Sequence, residues 1–349
     1  MLTPLTGILL LSSSAASADI SPMEQCLGQD DLQRLACYDR LVEAQQKARL
    51  VAEAKIETTP SIKVTQVEEA APIPVATILQ SLWELGDNEK RGPFVVRTYQ
   101  PNFLLPAHYT SSINRQPQSP TLGLADLQEN YKPIEAKLQV SLRAKMLEDV
   151  LLPNADLWFA YTQTSMWQLW NSQDSAPFRS TDYQPEVIYV IPTAKYLGNL
   201  PLGWSMQMLQ LGFVHQSNGQ SEPMSRSWNR IYAAAAFERD QVGFSVKVNR
   251  RIPEQADDDD NPDLTSFLGT TELQLSWLPG SATASLTRKM SWNDFSNGSW
   301  QLDLTYPIDK SKADGLRVHL QLFSGYAETL LDYNHRQNSI GLGFMLFNF

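Results

Sequence analysis

In the stretch GFVHQSNGQSEPMSRSWNR, residues 212–230, a histidine and a serine stand two positions apart, His215 and Ser217. They continue the odd positions of an alternating run, Leu209, Leu211 and Phe213. Successive side chains of a strand point to opposite faces, so all five share one face. An imidazole in that place is poised to take a proton from the serine hydroxyl, the first requirement of a serine nucleophile. After the loop NGQSEPMSRS the chain returns as WNRIYAAAAFER. If Ile231, Ala233, Ala235 and Phe237 face outward, Asn229 does too, and the hairpin brings it beside the pair. Its amide oxygen can then accept the Nδ1 hydrogen of His215 and fix the ring, the part an aspartate plays in a Ser-His-Asp triad. The competing reading is an incidental H-x-S in an outer loop. Against it stands the cost, several kcal/mol, of holding three idle polar groups on an otherwise apolar, lipid-exposed face.

The elements that must carry this constellation are strands. From about residue 93 the chain alternates with period two. In SWQLDLTY, Trp300, Leu302, Leu304 and Tyr306 oppose Gln301, Asp303 and Thr305, and QVGFSVKV, TELQLSW and LRVHLQL repeat the split. A soluble sandwich alternates as well, but its turns are usually tight at both ends. Here long polar connections alternate with short ones, and aromatics rim the apolar rows: Trp158, Trp167, Trp277, Trp292, Trp300 and Tyr306. Lipid in place of a core, with aromatic girdles, is the pattern of an outer-membrane barrel. Strands are expected near 97–109, 134–146, 155–169, 184–196, 203–217, 227–238, 241–252, 265–278, 281–292, 297–307, 314–326 and 338–349. The fold class is thus all-β, a 12-stranded antiparallel transmembrane β-barrel, or a ten-stranded one if the first two segments are not strands. The last segment, NSIGLGFMLFNF, ends on Phe349, an aromatic terminus like those of bacterial outer-membrane barrels.

The remaining sequence fits an exported protein. Residues 1–18 read as a signal peptide, with an apolar stretch before Ala16-Ser17-Ala18. No run of ~18 apolar residues follows, so no helix is expected to span a bilayer. Residues 19–50 carry helical spacing at Leu32, Leu35, Tyr38 and Leu41 and hold both cysteines, Cys26 and Cys37. In an oxidising compartment these are expected to form a local disulfide, the alternative being two buried thiols. This small helical segment is expected to be periplasmic. Residues 51–92, rich in Ala, Glu, Thr and Pro at their start, read as a linker, and 93–349 as the barrel. A net charge of -10 over 349 residues argues against nucleic acid as a partner, because phosphate binding needs clustered Lys and Arg.

The string HQSNGQSEPMSRSWNR, with SQDSAPFR upstream and DDNPDLTSFLG downstream, resembles the outer-membrane phospholipase A family over about residues 93–349. The resemblance implies a calcium-dependent hydrolase of phospholipid acyl esters in the outer membrane, active as a homodimer. Ser217 would be the nucleophile, His215 the base and then acid, and Asn229 the third member. Calcium would be held by the Ser225 hydroxyl, the Gln220 carbonyl and Ser175 of the partner subunit, with the Gly219 amide at the oxyanion. Gln220 replaces a basic residue expected there, a change that a carbonyl ligand tolerates. Glu222 and Asp260 correspond to a second metal site, or else are solvated loop carboxylates. Gln163 falls in the outward set Leu157, Phe159, Tyr161, Gln163, Trp167 and Leu169, where the family's glutamine meets its twin across the dimer; alternatively headgroups satisfy it. Of the other histidines, His319 is expected in a lumen network and His108 and His335 near exposed strand ends. The rival functions are a passive porin or adhesion barrel and a barrel lipid acyltransferase.

Overall fold

The computed structural model describes residues 33, 36–37, 39–44, 46–47 and 77–346, except 176–177, 199, 279–280, 293 and 313–314. The chain divides into two units, residues 1–73 and 74–349. In the first, the described residues are helical, and Cys37 is not a free thiol. The signal peptide, Cys26, residues 51–76 and Phe349 lie outside the described residues.

Among the described residues the second unit contains fifteen strands: β1 (Val96–Thr98), β2 (Asn102–Thr110), β3 (Gln118–Ser119), β4 (Gly123–Leu124), β5 (Ile134–Leu147), β6 (Asp156–Trp167), β7 (Phe178–Pro192), β8 (Ser205–Ser217), β9 (Ser227–Arg239), β10 (Val242–Arg251), β11 (Thr271–Trp277), β12 (Thr283–Ser291), β13 (Asp294–Pro307), β14 (Leu316–Gly325) and β15 (Gln337–Leu346). Twelve of them, β2 and β5 to β15, pair antiparallel in a closed ring, with β15 returning to β2 and β5 joined to both β2 and β6. β1 continues β2 beyond a bend at Gln100 and Pro101 and also pairs with β5. β3 and β4 form a separate small hairpin in the β2–β5 connection.

The expected faces are seen directly. On β8, Leu209, Leu211 and Phe213 are exposed outward, whereas Gln210 and Val214 are buried inside. The lumen is filled by polar pairs. Lys137 Nζ donates to Gln321 (2.7 Å) and Glu328 (2.9 Å), and Arg179 is clamped between Glu135 and Asp332. His319 meets Asp303 at 2.8 Å, as expected of a lumen histidine. The space that remains includes cavities of about 350 Å³ and 230 Å³.

Several expectations are corrected. Trp158 is 1% exposed and points into the barrel, so it is no part of the outer girdle, whereas Trp277, Trp292, Trp300 and Tyr306 are exposed. His108 is also buried, bonded to Glu328 at 2.9 Å. A register shift between Leu105 and His108 inserts an extra residue, which reverses the parity of β2 and turns His108 inward. His335 is partly buried and bonds to Ser112. Residues 265–268, expected to open the strand at 265–278, lie instead in helix α3 (Leu264–Leu268), after α1 (Ile78–Trp83) and α2 (Ala194–Leu197). Leu264, Phe267 and Leu268 have helical spacing and pack against Trp228 and Tyr333; Gly269, at φ +85, ends the helix where a Cβ would strike the Met290 carbonyl. The fourth strand begins at Phe178 rather than 184 and yields to α2 at Ala194. Connection lengths alternate imperfectly, with residues 193–204 filling a turn-side link and only 292–293 joining β12 to β13 on the loop side.

Within the stretch read as linker, α1 belongs to the barrel unit. Thr77 and Gln80 form a capping box, and Glu238 accepts from the Ile78 and Leu79 amides. Trp83 packs edge-on against Trp158 (5.7 Å) beneath the Arg143 guanidinium (3.9 Å). Met208, Ile188 and Val190 complete this apolar cluster inside the turn-side end.

The face assignment has a direct check. Leu211→Arg puts a cation against lipid and is expected to lower unfolding stability in a bilayer by about 2–4 kcal/mol. Gln274→Arg, opening on the lumen cavity, is expected to cost less than about 1 kcal/mol. Equal losses in urea titrations of the two variants would contradict the assignment.

Candidate active site

β8 and β9 are joined at the loop side by residues 218–226, and their register opposes Ser217 to Ser227 and His215 to Asn229. The hairpin therefore delivers Asn229 to His215, and the Nδ1–H of His215 donates to Asn229 Oδ1 at 2.9 Å. His215, Ser217 and Asn229 are all half-buried on the outward face, directly above the exposed Phe213 and Ile231. With Nδ1 committed to Asn229, Nε2 carries the free lone pair and is the atom able to accept a proton. Among the described residues the Ser217 hydroxyl makes no hydrogen bond, and none joins it to His215. Both groups are on one strand face two residues apart, the looser arrangement common before substrate arrives. Asn229 spends its second amide function on Glu254, Nδ2 donating to Oε1 at 3.0 Å.

Asn218, next to the serine and buried, shapes the loop. Its Oδ1 accepts from the Gln220 and Arg226 amides, and its Nδ2 donates to the Met224 carbonyl. That places Gly219 at φ +62, a left-handed conformation, with a hypothetical Cβ 3.0 Å from the Tyr183 ring. Sequence reasoning passed over Asn218. The signal was present in the Asn-Gly pair, a turn former whose amide bonds to nearby backbone.

The expected metal ligands fall into unequal groups. Ser225 Oγ donates to Asp260 Oδ2 at 2.5 Å, joining two oxygens that sequence reasoning gave to different metal sites. The adjacent Asp259 is tied to Arg251 (2.6 Å), and Asn261 accepts from the Ser227 amide (3.0 Å), which pins the acidic loop to β9. Glu222 is exposed, without a side-chain hydrogen bond among the described residues. Ser175 sits on the β6–β7 loop, its carbonyl accepting from Trp167 Nε1 at 2.8 Å. Among the described residues no three His, Cys, Asp or Glu side chains converge as a metal cluster. A hydroxyl and a carboxylate in contact are hard oxygen donors and fit calcium rather than a softer metal.

Gln163 pairs with Tyr183, and Tyr183 with Ser217, so the glutamine lies in the same row as the serine two strands away, about 10 Å at ordinary strand spacing. Tyr161 donates to its Oε1, and its Nε2 donates to Ser165. Near Ser217, His215 and Asn229, Trp228, Leu264, Leu330 and Tyr333 belong to a second apolar cluster. Burial, and then the Asp263 carboxylate it donates to, push the Tyr333 phenol well above its ordinary range, so it stays a neutral donor.

These features define a class, a closed transmembrane barrel that presents hydrolase-type side chains on its outward rim. Residues 79–346 match the phospholipase A1 family, and the chain belongs to that family. It is an outer-membrane phospholipase. A protein of Neisseria meningitidis serogroup B is 38% identical, with the match covering 98% of this chain and 94% of its own, so it extends over the N-terminal segment too. Among solved structures, a calcium-bound dimer of Salmonella typhi outer membrane phospholipase is similar, with 34% identity, a TM-score of 0.64, and coverage of 74% of this chain and 94% of that one. An asparagine-to-alanine active-site mutant of Escherichia coli outer membrane phospholipase A is similar at 33% identity and a TM-score of 0.66, covering 78% and 99%.

Gly219→Ala is expected to cost about 1–3 kcal/mol through its left-handed backbone and to push the loop off Tyr183. The expected kinetic result is at least about a tenfold drop in kcat with the barrel still folded. Full activity in this variant would remove Gly219 from the site.

Proposed function

We propose that this phospholipase cleaves acyl ester bonds of phospholipids and lysophospholipids through Ser217, His215 and Asn229, with calcium and a second subunit completing the site. The observation that carries the reading is the 2.9 Å bond between His215 and Asn229 on the outward rim. Ser217 Oγ attacks the ester carbonyl carbon while His215 Nε2 takes the hydroxyl proton. The tetrahedral intermediate collapses, the bond to the glycerol oxygen breaks, and His215 returns the proton to that oxygen. Water then attacks the acyl-enzyme by the same route, giving free fatty acid and restoring Ser217. Asn229 holds the imidazole in one tautomer and orientation throughout. The Gly219 amide is the oxyanion donor.

Ser225, the Gln220 carbonyl and Ser175 of the partner subunit would hold calcium, and Glu222 with Asp260 a second ion. When bound, the ion supplies positive charge beside the developing oxyanion. Support for this comes from the contact between Ser225 and Asp260 and from the calcium-bound dimer of the Salmonella typhi relative. The nearness of Gln163 to Ser217 in one row supports a dimer that meets across β6 and brings a partner's Ser175 within reach. The N-terminal segment, with Cys26 paired to Cys37, lies on the periplasmic side in this reading.

The test is phospholipid hydrolysis by purified protein with calcium, with chelator, and as Ser217→Ala. Chelation and the substitution are each expected to lower the rate by about a thousandfold or more. Activity surviving both, or acyl chains transferred between lipids with no free fatty acid, would overturn the reading.

A further inference from the structure

A triad whose third member is an asparagine lacks the negative charge that an aspartate places behind the imidazole. Here a carboxylate stands one residue further back. Asn229 Nδ2 donates to Glu254 Oε1 at 3.0 Å, while Asn229 Oδ1 accepts from His215. An ionised carboxylate only accepts, so the Asn229 atom facing Glu254 must be the amide nitrogen. The atom facing His215 is then the carbonyl oxygen, and the imidazole must keep its hydrogen on Nδ1. Glu254 thereby selects the tautomer whose Nε2 is free to act as base.

Glu254 is itself held. Its Oε2 accepts from Arg251 Nη2 at 3.3 Å, and the same guanidinium donates to Asp259 (2.6 Å) and to the Asn261 carbonyl (2.7 Å). Glu254 is 18% exposed and Arg251 12%, so solvent screens the group weakly. Two carboxylates on one guanidinium leave a net negative charge behind Asn229. Through the hydrogen-bonded amide that charge polarises the oxygen facing His215, because serial hydrogen bonds reinforce one another. An ordinary loop ion pair would need only Arg251; the bond to Asn229 crosses to the neighbouring strand, at the residue that orients the base.

We infer that Glu254 is a positioning residue, a fourth member of the relay Ser217–His215–Asn229–Glu254, supplying from the β10–β11 loop the charge that the asparagine lacks. The inference rests on the proposed triad. It acts on the proton-transfer step, so it belongs to kcat and not to substrate binding or to the metal.

The experiment is steady-state phospholipid hydrolysis in mixed micelles, at saturating calcium and across a calcium titration, by the full chain, as Glu254→Gln, Glu254→Ala, Asn229→Ala, Asn229→Ala with Glu254→Gln, and Ser217→Ala. Glu254→Ala is expected to lower kcat by about tenfold and the near-isosteric Glu254→Gln by less, with KM and the half-saturating calcium concentration unchanged within about twofold. In the Asn229→Ala background Glu254→Gln is expected to have no further effect. Unchanged kcat in Glu254→Ala, with Ser217→Ala inactive and Asn229→Ala impaired, would overturn the role of Glu254 alone. Equal losses from Glu254→Gln with and without Asn229, or a shift only in calcium requirement, would make it a loop-shaping residue instead. An active Ser217→Ala would bring down the triad and this role with it.

Discussion

Inside a bilayer every backbone amide and carbonyl must find its partner within the protein. That constraint closes β2 and β5 to β15 into a ring, and the ring dictates everything else about the molecule. Because side chains alternate across each strand, a closed sheet has one surface in lipid and one in the lumen. A catalytic group that must meet a lipid ester belongs on the outer surface. A polar group there is tolerated only where water and headgroups are near. His215, Ser217 and Asn229 are at the last rungs of β8 and the first of β9, on the outward rim.

The two surfaces divide the work. The lumen side gives rigidity: Arg179 between Glu135 and Asp332, Lys137 on Glu328, and α1 with Trp83 packed on Trp158 at the turn-side end. The loop side gives chemistry. The acidic loop after β10 touches the site twice, through Glu254 on Asn229 and through Asp260 on Ser225, and Arg251 ties the carboxylates at 254 and 259 together. The orientation of Asn229 and the Ser225–Asp260 oxygen pair are thus both properties of one short segment.

Much of this was legible in the sequence, for a physical reason. A strict period of two assigns faces along each strand, and one tight hairpin fixes a register, so Asn229 could be set opposite His215 by counting. Counting failed wherever the period breaks. The extra residue near Leu105 turned His108 inward. The run Leu264–Leu268 has helical spacing but leads directly into the alternating Leu273, Leu275 and Trp277, which hid the boundary, and Trp158 falls on an even, lumenal position despite being a large aromatic. Partners outside the hairpin were invisible for another reason. Glu254 on Asn229 and the contact of Asp260 with Ser225 depend on the conformation of the loop after β10, and nothing in local spacing states which loop carboxylate reaches which strand.

The nucleophile is identified by where an acyl-like group becomes attached. A long-chain alkyl sulfonyl fluoride, incubated with the protein and calcium and followed by mass spectrometry of peptides, traps the activated hydroxyl. The expected adduct is on Ser217 alone, its formation slowed by Asn229→Ala and abolished in His215→Ala. An adduct on another residue, or undiminished phospholipid hydrolysis in protein fully modified at Ser217, would contradict the assignment of the nucleophile.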